Sequence, residues 1–411
     1  MPKLFVEELQ VQGKRVLVRV DFNVPIKDGV VEDDKRIAAA LPTLKHLLSK
    51  GAALVVMSHL GRPDGQRKPE FSLKPVAVKL QDLLGVPVRF LDDCVGPQVE
   101  AECKSLKSGA VILLENLRFH IEEEGKVKLE DGTKLAADKA KVSEFRASLS
   151  RLGDLYVNDA FGTAHRDHSS VAGVTLPQRA SGYLMKKELD FLGQSLERPT
   201  RPFVAIIGGA KVSGKIDVIN SLLPKVDKLI IGGGMAYTFA KALGYETGNS
   251  LVEPDRVALA KELLDKHRDK LVLPTDCLIT DHFDFKARTL GAVKHCAFNA
   301  IPKDWEAVDV GPESADAFSK IVRGAKTVLW NGPMGVFEIE ASAKGTFAVA
   351  QALADATKTG AITVVGGGDS ASAIKKAGLS KQVSHVSTGG GASLEYLEGK
   401  PLPGVLALTD K

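Results

Sequence analysis

The chain has 411 residues, and its 55 Lys and Arg against 51 Asp and Glu leave a net charge of only +4. That small excess does not by itself favour a nucleic-acid-binding protein. With 44% hydrophobic and 26% charged residues, the composition is that of a globular protein, and at about 150 residues per domain the length predicts two or three domains.

Short β-branched runs alternate with helical patterns along the whole chain. The predicted strands are near-continuous apolar runs at 15–22, 53–59, 87–91, 111–117, 155–161, 203–208, 228–231, 327–331, 361–365 and 385–387. The helix-like segments between them include 36–49, 73–84, 134–149, 254–266 and 341–357. This alternation is typical of α/β folds with doubly wound parallel sheets.

The chain divides near its middle. Residues 183–197 have a helical pattern, and the Arg-Pro-Thr-Arg-Pro run at 198–202 should end that helix before a new apolar strand begins. We therefore predict two doubly wound, Rossmann-like domains joined by a linker helix. The predicted bounds are 1–182 for the first domain, 183–198 for the linker, 199–396 for the second domain and 397–411 for a C-terminal tail.

The cysteine content, the apolar runs and the first residues bear on where in the cell the protein is expected. Four cysteines are too few for a disulfide scaffold, and none has the CxxC spacing of a thiolate zinc site. No apolar run reaches the ~20 residues of a membrane-spanning helix. The first residues also lack the pattern of a signal or transit peptide. We expect reduced thiols, a cytoplasmic location and no membrane partner.

Polar clusters follow four predicted strands of the first half. In open α/β sheets, ligands bind beyond the carboxyl ends of the strands. One arginine there could simply pair with a surface carboxylate, but four at corresponding positions favour a site for a small, strongly anionic molecule. Asp21 and Asn23 could orient a hydroxyl group of that molecule. The candidate anion-binding residues are Arg36, Arg62, Arg118, Arg166 and His59.

Four glycine clusters follow apolar strands of the second half, at 208–209, 232–234, 366–368 and 389–391. Glycine lets the backbone approach a ligand closely, and the helix start behind each cluster offers free N–H groups to a phosphate. One such turn is weak evidence. Four of them in one domain predict a nucleotide-binding face.

Two motifs in this half only partly match known nucleotide signatures. Residues 209–215 fit GxxxxGK, but Ile216 replaces the hydroxyl residue, so we reject a true P-loop. Lys211 and Lys215 can still offset phosphate charge. Residues 366–371 fit the relaxed dinucleotide fingerprint, but the expected acidic residue is absent after the next strand. An NAD-dependent dehydrogenase is disfavoured and stays an open alternative.

Two acidic residues follow strands in the same half. Asp369 is either an ordinary helix cap or a ligand of Mg²⁺, and the two roles are compatible. Glu338 either accepts hydrogen bonds from ribose hydroxyls or is a solvated loop acid.

These segments together resemble the phosphoglycerate kinase family, and the resemblance runs essentially end to end. It is carried by residues 19–25, 58–63, 115–119, 158–166, 208–213, 332–338 and 366–370. It implies a usually monomeric, Mg²⁺-dependent kinase that transfers a phosphoryl group reversibly between 1,3-bisphosphoglycerate and ADP, giving 3-phosphoglycerate and ATP. It also implies that the C-terminal tail returns to the first domain. No nucleic-acid partner is expected.

The resemblance also implies roles for individual residues. The acid substrate would be held by Asp21, Asn23, Arg36, His59, Arg62, Arg118 and Arg166. The nucleotide would be bound by Lys211, Lys215, Gly234, Gly311, Glu338, Gly367, Gly368, Asp369 and Ser370, with Asp369 as the Mg²⁺ ligand. Arg36 and Lys215 would stabilise the transferring phosphoryl group, and the domains would close about a hinge.

Two residues depart from the family pattern. Gly214 stands where Asp is common, and Asp167 stands where Ala is common. Neither removes a reacting group, so we expect tuned affinity. A non-catalytic nucleotide-binding module remains the second alternative.

Overall fold

The structure is a computed structural model that describes residues 2–129 and 131–411. It divides the chain into two compact units. The first comprises Met1–Leu189 and Pro401–Lys411, and the second comprises Asp190–Lys400. Each unit contains a parallel sheet with helices, which confirms the predicted fold class. The exact domain and linker bounds given above remain predictions.

The first unit alternates strands and helices as its sequence pattern predicts. Its strands are β1 (Arg15–Arg19), β2 (Ile26–Lys27), β3 (Val30–Val31), β4 (Ala53–Met57), β5 (Val88–Leu91), β6 (Val111–Leu114), β7 (Lys126–Lys128), β8 (Lys134–Ala136), β9 (Leu155–Asn158) and β10 (Arg179–Ser181). Its helices are α1 (Lys35–Ser49), α2 (Lys74–Leu84), α3 (Pro97–Lys104), α4 (Ile121–Glu124), α5 (Lys139–Arg151), α6 (Ser169–Ala172) and α7 (Tyr183–Glu197), which continues into the second unit.

The central sheet of the first unit is parallel, in the order β10-β9-β1-β4-β6-β5. Its four central strands, β9, β1, β4 and β6, are buried on both faces, because their side chains alternate between two apolar layers. Val16 and Val18 of β1 belong to one layer, while Leu17 belongs to the other. The carboxyl ends of β1, β4, β6 and β9 therefore open at one edge of the sheet.

The helix predicted at 134–149 is wrong at its start. Lys134–Ala136 is β8, which pairs with β7, and the helix begins only at Lys139. The Asp138 carboxylate accepts hydrogen bonds from the backbone of Ala140 and Lys141 at 2.9 and 3.0 Å. This side-chain cap fixes the helix start.

The second unit is also built from a parallel sheet with helices. Its strands are β11 (Phe203–Ile207), β12 (Lys228–Ile231), β13 (Glu246–Thr247), β14 (Leu271–Val272), β15 (Asp276–Thr280), β16 (Phe283–Asp284), β17 (Thr289–Leu290), β18 (Val293–Ala297), β19 (Ala300–Ile301), β20 (Glu306–Val310), β21 (Thr327–Asn331), β22 (Ile362–Gly366) and β23 (His385–Val386). Its further helices are α8 (Ile216–Leu222), α9 (Ala236–Ala242), α10 (Val257–His267), α11 (Pro312–Arg323), α12 (Lys344–Lys358), α13 (Gly368–Lys376) and α14 (Gly391–Leu397).

The parallel sheet of the second unit has the order β14-β12-β11-β21-β22-β23. Trp330 of β21 is fully buried in its core, and its indole N–H donates to the carbonyl oxygen of Gly332 at 2.7 Å. That bond holds the turn after β21 against the core. A separate antiparallel sheet, in the order β18-β15-β20, was not predicted.

The C-terminal tail packs on the first unit, as predicted. It contains the short helix α15 (Pro403–Leu406). The backbone N–H of Leu4 donates to Thr409 O at 2.8 Å, and that of Thr409 donates to Arg179 O at 2.9 Å. Lys3 and Asp410 form an ion pair at 2.7 Å. None of the described helices is long and apolar enough to cross a membrane.

Candidate active site

Two strand ends of the first unit are tied together by predicted residues. Asp21 and Asn23 follow β1, and Gly61 follows β4. The Asn23 side-chain oxygen accepts a hydrogen bond from the Gly61 N–H at 2.9 Å. The Asp21 carboxylate forms an ion pair with Arg36, in the first turn of α1. About half of the Arg36 side chain is exposed, so its guanidinium can still reach a ligand.

Three predicted arginines lie near one carboxylate that was not predicted. Arg118 pairs with Glu124 at 3.3 Å and donates to the carbonyl oxygen of Gly61 at 2.8 Å. Burial raises the pKa of the Glu124 carboxyl, and the charges of Arg118, Arg62 and Arg166 oppose that rise. Arg62 and Arg166 are exposed. The charges of all three guanidinium groups therefore act on one carboxylate at this edge of the sheet.

A buried charged layer lies beside this arginine group. Arg19 is fully buried and donates from Nε to Ser170 Oγ at 2.8 Å, and that hydroxyl donates to Glu123 at 2.6 Å. The second Nη of Arg19 lies 3.2 Å from His59 Nδ1. Burial, together with Arg19, holds the pKa of His59 well below its usual range. His59 is therefore a neutral ring, 4% exposed, and adds no positive charge for an anion.

Sequence reasoning named His59 but missed the charged members of this layer, Arg19 and Glu123. Arg19 has a signal in the sequence, because a charged residue ends an otherwise apolar strand. Glu123 has none, since the acidic run at 122–124 looks like a solvated helix face. His168 is also buried, and burial with nearby Arg118 lowers its pKa to about 3.

The glycine-containing turns that follow β11, β12 and β21 contact one another through their backbones. A Cβ on Gly208 would clash with the carbonyl oxygen of Pro333, so no other residue fits there. The Gly233 N–H donates to Met334 O at 2.9 Å, and the Met235 N–H donates to Gly209 O at 3.0 Å. These contacts join the ends of β11, β12 and β21 into one surface.

A cavity of about 310 Å³ opens on these turns. Among the predicted residues, Gly234, Glu338 and Asp369 line it. Its other walls include apolar side chains, among them Leu251 and Val336. Glycine backbone, a few carboxylates and apolar walls together suit a ligand with an aromatic base and phosphates.

Lys215 lies at the edge of these turns. Its ammonium group donates a hydrogen bond to the side-chain oxygen of Asn331, at the end of β21. Burial lowers the pKa of Lys215, and the charge of Asp369 opposes that shift. Lys211, in contrast, is exposed, and its charge contributes to the lowered pKa of Glu253.

Three predicted pocket residues shape the glycine surface without lining the cavity. Gly367 has φ +88° and caps α13, a conformation that favours glycine, and Gly368 is the first residue of that helix. Ser370 is buried, and its hydroxyl accepts a hydrogen bond from the Gly332 N–H at 2.6 Å. The structure thus places Ser370 behind the turn after β21.

Gly311 lies away from the glycine-turn cavity. It caps α11 and lines a different cavity of about 620 Å³. A Cβ on Gly311 would clash with the Asp276 carboxylate, which accepts hydrogen bonds from the first backbone N–H groups of α11. Ala307 of β20 lines the glycine-turn cavity instead. It lies in a strand that sequence reasoning did not predict.

The residues around Asp369 fit a Mg²⁺ site. Mg²⁺ is usually held by one or two carboxylates together with substrate phosphates. Asp369 is exposed in the first turn of α13, and both Asp369 and Glu338 line the cavity. In the described part of the chain, no group of three or more metal-ligating side chains gathers here. An ion at this position would therefore need ligands from the nucleotide.

Comparison with known proteins identifies the family. A sequence model described as Phosphoglycerate kinase matches residues 6–400. The chain is 54% identical to the phosphoglycerate kinase of Chloroherpeton thalassium over 415 residues, covering 100% of both chains. The chain belongs to the phosphoglycerate kinase family. Human phosphoglycerate kinase 1 is also 54% identical, with 99% of each chain covered.

Solved structures of phosphoglycerate kinases have the same fold. The Coxiella burnetii enzyme superposes with a TM-score of 0.87 at 38% identity, covering 99% of this chain and 98% of that one. The Pyrococcus horikoshii enzyme gives a TM-score of 0.77 at 32% identity, with 98% of each chain covered. The family resemblance and the prediction of a kinase are confirmed. The dehydrogenase and the non-catalytic module are not favoured.

The two departures from the phosphoglycerate kinase pattern leave these sites intact. Asp167 pairs with Arg146 at 3.2 Å rather than with Arg166. A Cβ on Gly214 would contact only Lys211 O, at 3.9 Å. The space beside Gly214 is therefore open.

Proposed function

We propose that this chain transfers a phosphoryl group reversibly between 1,3-bisphosphoglycerate and ADP, giving 3-phosphoglycerate and ATP. The observation that carries the proposal is the 54% identity, over the whole chain, with proteins named phosphoglycerate kinase. Every residue proposed for either substrate lies within the 6–400 range that matches the family.

The first unit is proposed to bind the phosphoglycerate. 3-Phosphoglycerate has a carboxylate and a phosphate, and 1,3-bisphosphoglycerate has an acyl phosphate in place of the carboxylate. Guanidinium groups pair with carboxylates and phosphates in bidentate fashion. The proposed residues are Asp21, Asn23, Arg36, Arg62, Arg118 and Arg166, with His59 behind them. Because His59 is neutral and buried, its proposed part is to hold Arg19 and the strand ends in place.

The second unit is proposed to bind the nucleotide through its glycine turns. The residues proposed from the sequence are Lys211, Lys215, Gly234, Gly311, Glu338, Gly367, Gly368, Asp369 and Ser370. The cavity supports direct contact for Gly234, Glu338 and Asp369, and a positioning part for Ser370. Gly311 has the weakest support, because it lies at the other cavity.

Mg²⁺ is proposed to be held by Asp369 together with the nucleotide phosphates. When bound, the ion offsets phosphate charge and so stabilises the developing charge of phosphoryl transfer. The chain supplies the remaining positive charge through Lys215, and free N–H groups at the start of α13 add donors.

The reaction needs no proton transfer from the chain. In the direction of ATP synthesis, an oxygen of the ADP β-phosphate attacks the acyl phosphoryl group. The bond from that phosphorus to the carboxyl oxygen breaks, and the acid leaves as a carboxylate that is ionised at neutral pH. Arg36 and Lys215 are proposed to stabilise the charge on the transferring group, which spreads over its oxygens.

Some expectations from the sequence remain part of this proposal. Because the proposed half-sites belong to different units, we propose that closure of the units brings the substrates together and excludes water. A monomer in the cytoplasm, without nucleic-acid or membrane partners, is likewise proposed.

A coupled assay tests the proposed function. The protein, 3-phosphoglycerate and Mg-ATP are mixed with glyceraldehyde-3-phosphate dehydrogenase, and NADH consumption is followed. The proposal expects turnover that requires Mg²⁺ and both substrates. ATP binding without such turnover would overturn the proposal in favour of a nucleotide-binding module.

A further inference from the structure

Two cysteines of the second unit face each other across antiparallel strands. β15 pairs with β18 so that Cys277 lies directly opposite Cys296. Their Sγ atoms are 3.5 Å apart, and both thiols are free. This pair lies outside the residues proposed for catalysis.

The strand pairing already has the spacing that a disulfide needs. Directly opposed residues in antiparallel strands have Cα atoms about 4.5 or 5.5 Å apart. Disulfides span Cα distances of roughly 4.4–6.8 Å, with the sulfurs about 2.05 Å apart. Rotation of the two side chains is therefore the main change that would bring the sulfurs of Cys277 and Cys296 from 3.5 Å to bonding distance.

The two thiols differ in their access to solvent. Cys277 is fully buried in the central strand of the three-stranded sheet, whereas Cys296 is partly exposed on edge strand β18. A reagent in solution therefore meets Cys296 first. Cys277 then lies close enough to resolve any adduct on Cys296.

We propose that Cys277 and Cys296 form a reversible thiol–disulfide site that reacts with small dialkyl disulfides such as oxidised glutathione. The Cys296 thiolate attacks one sulfur of the small disulfide and releases one small thiol. Cys277 then attacks the Cys296 sulfur and releases the second small thiol. In sum, the two protein thiols lose two hydrogen atoms, and one small disulfide is reduced to two thiols.

The rate of this exchange should depend on pH. Burial raises the pKa of both thiols. For Cys296, the contact with Cys277 and the charge of Lys294 oppose the rise, whereas Asp276 adds to it. The Tyr237 phenol lies nearby, but burial raises its own pKa far above neutrality, so it stays uncharged. Because only the thiolate attacks, the rate should rise about tenfold per pH unit near neutrality.

The test is oxidation of the reduced full-length protein with glutathione disulfide at several pH values. Remaining thiols are alkylated after denaturation, and the intact mass and the peptides are measured. We expect a protein with two alkylated cysteines, Cys94 and Cys103, and a peptide link between Cys277 and Cys296 that dithiothreitol removes. The Cys277→Ala variant should stop at a glutathione adduct on Cys296, and Cys296→Ala should leave Cys277 unmodified.

Three results would overturn the proposal. One is alkylation of all four cysteines in the wild-type protein after oxidation, which does not depend on how the variants fold. Another is a disulfide that links a different pair. The third is a rate that does not change with pH, since it would exclude attack by a thiolate.

Discussion

The ammonium group of Lys215 donates a hydrogen bond to the side-chain oxygen of Asn331, at the end of β21. The Asn331 amide in turn donates to the carbonyl oxygen of Gly366 at 3.0 Å. Asn331 therefore ties a partly buried cation to the end of β22. This arrangement orients the charge of Lys215 before any ligand binds, which is what electrostatic stabilisation of a transferring group requires.

Replacement of Lys215 by alanine should reduce catalysis more than binding. We expect Lys215→Ala to lower kcat by about 10²–10³, since one preorganised donor contributes that much when it acts on developing charge. Lys266→Ala is the control, because Lys266 is an exposed lysine that pairs with Glu262 in α10, outside the proposed sites. Steady-state kinetics with both substrates measures the difference. Equal small losses in both variants would remove Lys215 from the reacting centre.

Arg36→Ala should likewise lower kcat by about 10²–10³ with little change in the KM for 3-phosphoglycerate. The reason is that the ion pair with Asp21 already orients the Arg36 guanidinium in the free protein. Its charge is therefore expected to act mainly on the transition state. Lys35→Ala is the control, since Lys35 is the exposed neighbour that pairs with Asp33. A large rise in KM at normal kcat would instead assign Arg36 to ground-state binding.

Asp369→Asn should weaken the use of Mg²⁺. Loss of the carboxylate charge should raise the Mg²⁺ concentration for half-maximal activity by about tenfold or more. Calorimetric titration of Mg-ADP should show the same weakening without any turnover. Asp265→Asn, an exposed acid that pairs with Lys261, should change neither value. If the Mg²⁺ dependence of Asp369→Asn is unchanged, Asp369 is not a ligand of the ion and is only a residue in the first turn of α13.

Much of the fold could be predicted because buried parallel strands have continuous apolar sequences. Thr327–Asn331 and Lys228–Ile231 match their predicted bounds. The antiparallel sheet could not be found in this way. Its edge strand Val293–Ala297 is mostly exposed, and its five residues, Val-Lys-His-Cys-Ala, neither alternate polar with apolar side chains nor form an apolar run. The pattern of so short a strand is indistinguishable from that of a loop.

The arginines at strand ends could be named from the sequence, whereas the buried charges beside them could not. Arg62, Arg118 and Arg166 follow strands, and the charges of all three oppose the rise that burial causes in the pKa of Glu124. Arg19 and Glu123 interact through Ser170 inside the unit, and only three-dimensional packing brings them together. The placement of Gly311 could not be predicted either, because the Asp276 cap that fixes it depends on an unpredicted strand.

Asp159 should make stability depend on pH. Its carboxylate accepts from the backbone of Leu184 and Met185 at 2.8 and 3.1 Å, and burial raises its pKa from 3.8 to about 6. Since the folded state holds the proton more tightly, this group's contribution to the free energy of unfolding falls as pH rises from about 4 to about 6 and then levels. The total fall is up to about 3 kcal/mol.

Urea unfolding of the wild type and of Asp159→Asn across this pH range measures the effect. The stability of the variant relative to wild type should rise from about pH 4 to about pH 6. Asp154→Asn is the control, because its contacts with Arg15 outweigh burial and lower its pKa, so its difference should stay flat in that window. A flat difference for Asp159→Asn as well would mean that folding does not raise the pKa of Asp159.

The most direct test of phosphoryl transfer follows the phosphoryl group itself. ATP labelled at its γ-phosphorus is incubated with the protein, Mg²⁺ and 3-phosphoglycerate, and hydroxylamine is used to release acyl phosphate as labelled phosphate. We expect label that hydroxylamine releases only when 3-phosphoglycerate is present, and a far lower rate of release with Lys215→Ala. Equal release without 3-phosphoglycerate, or at an equal rate with the variant, would contradict the proposed phosphoryl transfer.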